Sequence, residues 1–397
     1  MGVEPIKIQE NLYYLGVNDR QTEFFENMWP LPYGVAYNSY LITGEKTCLM
    51  DTVKVSKSDE FVDNVKAILK DRKLDYLVIH HIEPDHSGSI PQILDLYPDI
   101  KIVGNKKTRS MLNDYYEIDS DHFIEVGEGD VLDLGDRKLT FYLTAMVHWP
   151  ESMVSYDAEN KILFSQDIFG GFGTNDGAIY DDELDYDLRR TEFRRYYTNI
   201  VGKYSQMAVR AINKLSSLEI KTICPVHGCI WRKQPSRIVE DYTKWATYEV
   251  NEGVVIAYAS MYGNTELMAD QLARYLADEG VRNIEVMDVS KTHESYILSN
   301  CWEKKSLVLG SCTYNNTVYP VMNNLLNILK MQKLKNHVVS VFGSFGWSGG
   351  AVKNLKEFVE EGKFETTETV VEAKGRMKEE DDQGLRQMAK EIAAKIK

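Results

Sequence analysis

Apolar positions along the chain follow two different rhythms that meet near residue 250. Before that point, short apolar runs pair into hairpin-like units. Residues 33–43 are followed by 47–53, with further strand candidates at 76–80, 100–103, 139–144, 161–165 and 222–225. Helical periodicity intervenes at about residues 60–70 and again at 193–215. Strands that pair in series and are then covered by helices predict an α/β layered sandwich. After residue 250 the alternation is regular. Strand-like runs at 254–259, 283–288, 306–309, 338–342 and 369–372 are separated by helical stretches, the first at 265–279. Strand, helix and strand in turn predict right-handed crossovers and a doubly wound parallel sheet. Residues 241–249, aromatic and charged, read as a connecting helix, and the charged tail after Lys374 as a terminal one. The expected division is residues 1–250 and 251–397.

Composition narrows the class. A chain of 397 residues with 43% hydrophobic and 27% charged residues suits a soluble protein of two or three domains. No run approaches the roughly eighteen apolar residues of a membrane span. The start, Met1-Gly2-Val3-Glu4-Pro5, has no basic region or apolar stretch of a secretory signal. Gly2 invites a myristoylation reading, but Ile6 stands where Ser or Thr is required. Sixty acidic against 46 basic residues give a net charge of −14, which disfavours nucleic acid and anionic membranes. Cys48, Cys224, Cys229, Cys301 and Cys312 form no C-x-x-C pair, so a reducing, cytoplasmic setting without disulfides is expected. Cys224 and Cys229 flank His227 but read as structural, because thiolate ligands come in tighter pairs.

The densest chemical signal is His80-His81-Ile82-Glu83-Pro84-Asp85-His86, directly after a predicted strand. His148, Asp167 and His227 each follow another apolar run, so four strand ends would bring these side chains to one rim. A lone His or Asp at a strand end is usually a turn residue. Five metal-competent side chains within seven residues are different, since crowding them without a cation is electrostatically costly. His122, His293 and His337 lack such company and read as structural.

This arrangement resembles the metallo-β-lactamase superfamily, whose usual loop reads H-x-H-x-D-H. Here Glu83 replaces the second His. The substitution turns a nitrogen-rich site, suited to zinc and hydrolysis, into one with three carboxylates that favours iron or manganese. The fuller pattern resembles the flavodiiron proteins: His81-Ile82-Glu83-Pro84-Asp85-His86, His148-Trp149-Pro150, Asp167-Ile168-Phe169 and Pro225-Val226-His227-Gly228. That resemblance implies that His81, Glu83 and His148 hold one iron, that Asp85, His86 and His227 hold the other, and that Asp167 bridges them. His80 has no ligand counterpart and would orient a ligand or relay a proton.

A second site is carried by three loops. Ser260-Met261-Tyr262-Gly263-Asn264-Thr265 joins the first strand after residue 250 to its helix and contains no Lys or Arg. A phosphate there would meet backbone N–H groups, the helix dipole and neutral side-chain donors. The loop resembles the phosphate loop of flavodoxins, and neither a P-loop nor a dinucleotide fingerprint is present. Two more loops follow the third and fourth strands, with Ser311, Thr313, Tyr314 and Asn315 in one and Ser344, Gly346, Trp347 and Gly349 in the other. All three fall where a doubly wound sheet binds its ligand, and FMN is the expected cofactor.

The resemblance spans essentially the whole chain. It implies a metallo-β-lactamase-like diiron domain followed by a flavodoxin-like FMN domain, with electrons passing from FMN to two irons per subunit. Dioxygen would become water, or nitric oxide nitrous oxide. It also implies a head-to-tail homodimer or a dimer of dimers, with Trp347 a candidate at the junction. The chain ends at Lys397 without a Cys-rich extension, so a separate donor such as rubredoxin is expected. Two alternatives stand beside this one. They are a dinuclear zinc hydrolase fused to a flavodoxin-like module, and an electron-transfer flavoprotein with a structural metal site.

Overall fold

Asn38 and Ser39 break an apolar run that the pattern alone reads as one strand over residues 33–43. In the computed structural model, which describes residues 4–119 and 121–397, Val35–Tyr37 pairs with Val17–Asp19 while Tyr40–Thr43 joins a larger sheet. Asn38 is buried and its amide donates to the carbonyls of Pro225 and Gly228, both at 2.9 Å. Ser39 donates to the Met50 carbonyl at 3.1 Å. Polar side chains bonded to distant backbone give the chain an alternative to continuing the ladder. Residues 1–3, including Gly2 of the failed myristoylation motif, lie outside the described residues.

The chain forms two compact units, Met1–Thr243 and Lys244–Lys397. In the first, a seven-stranded sheet runs Ile6–Gln9, Leu12–Tyr14, Tyr40–Thr43, Thr47–Met50, Tyr76–Val78, Lys101–Gly104 and Phe123–Glu125. Its pairs are antiparallel as far as Thr47–Met50 and parallel beyond. A five-stranded sheet runs Val131–Asp133, Lys138–Leu143, Met153–Asp157, Ile162–Gln166 and Thr222–Pro225, with only the last pair parallel. Tyr40, Ile42, Met50 and Val78 of one sheet share a core with Phe141, Met153, Phe164 and Cys224 of the other. Helix Ser58–Leu69 buries Phe61, Val62, Val65 and Leu69, each fully buried apolar side chain contributing about 1.5–3 kcal/mol.

Some elements escaped the apolar pattern. Helix Lys106–Tyr116 is mostly polar, but Asn105 caps it by accepting from the Lys107 and Thr108 amides at 3.0 and 3.2 Å. Strand Met153–Asp157 was also not expected. The single helix predicted over 193–215 is interrupted. Tyr186–Tyr196 passes through a π turn, Tyr197–Val201, and a short tight turn before Ser205–Leu215. Arg195 and Tyr196, just before the π turn, are both buried, and the wider turn resets the helical phase beyond them.

The second unit is a parallel sheet in the order Ile284–Asp288, Asn251–Ala259, Lys304–Tyr314, Val338–Phe345, Val371–Lys374. In chain order this is 2-1-3-4-5, the flavodoxin-like winding, whose switch lies between the first and third strands. Helices Asn264–Asp278 and Glu379–Ile396 pack Met268, Leu272, Leu385 and Met388 against Val254, Ile256 and Val308. The helix expected over 241–249 lies at Pro235–Ala246. The last strand starts later than expected because Thr369 is held by the Glu391 carboxylate.

One polar chain joins the two sheets of the first unit. Asp51 accepts from the His80 backbone amide at 2.8 Å and faces His80 Nδ1 at 2.7 Å. His80 Nε2 lies 2.8 Å from the hydroxyl of Ser155 in the opposite sheet, and all three residues are buried. Ser155→Ala leaves a ring nitrogen unpaired in the core. The expected loss is ~1–3 kcal/mol, read as a lower denaturant midpoint with unchanged far-ultraviolet circular dichroism.

Candidate functional site

Four strand ends build the first site. His81, Glu83, Asp85 and His86 follow Tyr76–Val78, with Pro84 opening the one-turn helix Pro84–Ser87. His148 lies between Lys138–Leu143 and Met153–Asp157, Asp167 directly follows Ile162–Gln166, and His227 follows Thr222–Pro225. The apolar strands are drawn into the core, and the first polar residues beyond them are left together at the rim. The potential ligand atoms of His81, Glu83, His148 and Asp167 fall within 4.8 Å of one another, as do those of Asp85, His86 and His227.

Asp167 stands between the two groups. Its Oδ2 is 3.2 Å from His81 Nε2 and 3.5 Å from His148 Nε2. Its Oδ1 is 3.2 Å from His86 Nε2 and 3.6 Å from His227 Nε2. Glu83 closes the first group, 2.8 Å from His148 Nε2 and 3.2 Å from His81 Nε2. Asp85 closes the second, 3.2 Å from His227 and 3.3 Å from His86.

The donor set fits metal ions. Both oxygens of Asp85, Asp167 Oδ2 and His227 Nε2 are buried without a hydrogen-bond partner, although they lie close together. Buried polar atoms are normally paired, so atoms that converge without hydrogen-bond geometry mark a place for cations. Other bonds set the ring orientations. His81 Nδ1 faces Glu151 at 2.9 Å and His227 Nδ1 faces the Ala36 carbonyl at 2.8 Å, which leaves each Nε2 turned inward. Tyr196 donates to Asp167 at 2.9 Å.

Charge reinforces this geometry. Burial would depress the His81 imidazole, but Asp167, Glu151 and Glu83 hold it well above its ordinary value. His86 is likewise depressed by burial yet lifted to about 9 by Asp85 and Asp167. His148 is raised through Glu83. Burial opposes ionisation of Glu83 and Asp167, but the surrounding imidazoles pull both below the carboxylate range. Without metal, the raised imidazoles balance the lowered carboxylates.

A cavity of about 760 Å³ opens on Glu83 and Asp85 and is walled by Phe24, Phe25, Tyr37 and Tyr116. Glu26, also on its wall, was not foreseen. It sits at φ 51° in the turn between Phe24–Phe25 and Trp29–Pro30 and accepts from Trp29 Nε1 at 3.0 Å. Burial, reinforced by Glu83, pushes its carboxyl up to about 7. Glu151 and Tyr196 were missed too. Glu151 was within reach, because it follows His148-Trp149-Pro150 directly; nothing in the local pattern singled out Tyr196 or Glu26. All five cysteines are free and buried.

The second site is a cleft of about 530 Å³ at the carboxyl ends of the parallel strands. Ser260, Met261, Tyr262, Asn264, Thr265, Thr313, Tyr314, Asn315, Ser344, Gly346 and Trp347 line it, joined by Cys312, Asn316, Phe345, Ser348 and Gly375. Gly263, Ser311 and Gly349 do not. Gly263 supplies φ +89° before helix Asn264–Asp278, and its amide donates to the Ser260 hydroxyl at 3.1 Å. Ser311 is buried, bonded to the Cys312 carbonyl and the Tyr319 amide, and Gly349 lies against Glu372. A Cβ on Gly346 would meet no protein atom within 4 Å. The Thr265 and Ser344 hydroxyls, 2.9 Å apart, stand beside the first-turn amides of that helix, a fitting cradle for a phosphate.

Comparison with known proteins matches both halves. Residues 35–228 match the ODP family beta lactamase and residues 256–388 match flavodoxin. A nitric oxide reductase of Moorella thermoacetica is 34% identical over 397 residues, covering 99% of each chain. The structure of rubredoxin oxygen:oxidoreductase from Desulfovibrio gigas superposes with a TM-score of 0.95 at 33% identity, over 99% of this chain and 98% of that one. The flavodiiron protein of Giardia intestinalis also gives 0.95, at 26% identity over 100% and 97%. The chain belongs to the flavodiiron family. Its lactamase-like unit is therefore joined to redox chemistry, and the hydrolase alternative falls away.

For this flavodiiron protein, metal uptake has to displace protons. Binding is expected to release protons and to tighten as pH rises, measurable by calorimetry in buffers of different ionisation enthalpy. In the metal-free protein the stabilisation from raised His86 is complete below its ordinary value of 6.5 and is lost as pH rises through about 9. That from lowered Glu83 and Asp167 is present above the carboxylate range and lost as pH falls below it.

Proposed function

We propose that this flavodiiron protein reduces dioxygen to water or nitric oxide to nitrous oxide, with FMN in the cleft of the second unit and two irons at the rim of the first. The observation that carries the reading is the Asp167 carboxylate, with one oxygen turned to each group of ligand-type side chains. On this reading His81, Glu83 and His148 hold one iron, Asp85, His86 and His227 the other, and Asp167 serves both. When bound, FMN would supply electron storage and the irons the Lewis-acid and redox chemistry for reducing the gas.

The side chains have separate tasks. Glu151 and the Ala36 carbonyl aim two imidazoles, so the ligands need little rearrangement. Tyr196, whose phenol burial keeps protonated, holds Asp167 by donating to it. The Asp167 amide in turn donates to Gln166 Oε1 at 2.5 Å. Phe24, Phe25 and Tyr116 give the cavity apolar walls that admit a small uncharged gas and limit water. Glu26 stands on the cavity wall, where burial and Glu83 raise its carboxyl to about 7, so it can exchange a proton near neutral pH, and oxygen reduction consumes protons. In the second unit neutral hydroxyls and helix amides hold the FMN phosphate.

A separate protein such as rubredoxin supplies the electrons, in keeping with the curated relative named rubredoxin-oxygen oxidoreductase. Among the described residues no helix is long and apolar enough to cross a membrane. With five free thiols, a cytoplasmic setting fits. The working unit is a head-to-tail homodimer in which the FMN of one subunit serves the irons of its partner. Trp347, 91% exposed, and Tyr262, 89% exposed, sit at the mouth of the FMN cleft, where such aromatic surface calls for a partner.

Anaerobic stopped-flow with each gas tests the reaction. His148→Ala should abolish gas-driven oxidation while FMN reduction survives, and Glu151→Ala should lower metal affinity or activity about 10–100-fold. If neither gas rapidly oxidises the reduced protein, the reading fails. Sedimentation should show a dimer, with turnover falling as dilution separates subunits; a fully active monomer would refute the assembly.

A further inference from the structure

A chain of oxidisable rings leads away from the proposed metal ligands. Trp149 follows the ligand His148, and its ring lies 5.3 Å from that of His81, nearly perpendicular at 87°. The Tyr115 ring lies 5.9 Å beyond Trp149. Tyr115 is 49% exposed, so the series runs from a fully buried imidazole to a phenol in contact with water. Tyr116 flanks it at 6.2 Å, its hydroxyl held 2.6 Å from that of Ser87. Tyr196 is placed differently. It donates to Asp167, but the rings against it, Phe25, Phe172 and His227, are all buried.

We infer that Trp149 and Tyr115 form an escape route that carries oxidising equivalents out of the metal site when dioxygen arrives before enough electrons do. The inference rests on the iron-dependent reduction of dioxygen proposed above. Dioxygen needs four electrons and four protons to become two waters, and a site supplied with fewer retains oxidising power beside His81 and His148. Electron tunnelling weakens exponentially with distance, so two short steps between rings outrun one long jump. Indole and phenol are also the readily oxidised side chains here, whereas phenylalanine is not.

The balance closes. Trp149 gives one electron to the site, Tyr115 refills the indole, and the Tyr115 phenolic proton passes to solvent water. A soluble thiol then donates a hydrogen atom to the Tyr115 phenoxyl oxygen and restores the phenol. Two such thiyl radicals couple to a disulfide. Each cycle removes one oxidising equivalent and consumes one thiol. Exposure of Tyr115 is what allows both proton loss and repair.

The experiment uses the full-length, iron- and FMN-loaded protein, reduced with fewer electrons than dioxygen requires, mixed with dioxygen and freeze-quenched for electron paramagnetic resonance. The expected result is an organic radical whose hyperfine pattern changes when the tyrosines carry deuterated rings. Tyr115→Phe should remove the tyrosyl pattern and leave an indole radical. Trp149→Phe should suppress both, and peptide mass spectrometry should then show several-fold more oxidation around His81 and His148. With excess donor, Tyr115→Phe should turn over as the parent does, which separates the route from folding damage. Oxygen consumption in the same samples separates the two claims. Dioxygen consumed with no ring radical, or with a signal and oxidation pattern unchanged in Tyr115→Phe, overturns this inference alone; no dioxygen consumed overturns the proposed function with it.

Discussion

Seven ligand-type side chains, three of them carboxylates, are concentrated at one buried rim, and this concentration constrains the rest of the structure. Removing such charge from water is costly unless it is compensated. Within the protein alone compensation comes from imidazoles lifted above their ordinary range. Metal ions would supply it more fully, and the atoms left without partners at Asp85, Asp167 and His227 face where ions would lie. The neighbouring scaffold follows from the same demand. Glu151, the Ala36 carbonyl and Tyr196 each fix one member of the cluster from outside. The buried Asp51, His80 and Ser155 tie together the two sheets whose ends carry the ligands.

The two units solve opposite electrostatic problems. The first gathers negative charge to attract cations, in oxygen-rich surroundings suited to iron. The second offers a phosphate only hydroxyls and helix amides, with no Lys or Arg in residues 260–265. In each case the polar residues follow strands whose apolar side chains the core has claimed. Strand ends therefore act as the mounting points of both sites.

Much of this was legible along the chain. The run from His80 to His86 announced a metal site, and Glu83 separated it from the zinc-rich relatives of its fold. The change of rhythm near residue 250 announced a second, parallel sheet, which the structure shows in the order 2-1-3-4-5. What escaped notice depended on distant partners. Asn38 ends a strand because carbonyls nearly two hundred residues away receive its amide. The π turn after Tyr196 leaves no mark on apolar period, and Glu26 reaches the cavity through a left-handed turn without a glycine. Ser311 lies within strand Lys304–Tyr314 and spends its hydroxyl on the Cys312 carbonyl and the Tyr319 amide.

By itself the sequence determined which chemistries were present, because ligand type and donor hardness are properties of residues and survive any fold. It also determined the kind of sheet in each half, because alternation of strand and helix constrains topology locally. Only the tertiary structure decided which oxygen of Asp167 faces which histidines, which imidazole nitrogen turns inward, and that Tyr115, Trp149 and His81 stand in line. Those relations depend on strands far apart in sequence meeting at one rim. Packing sets them, and no local pattern records that.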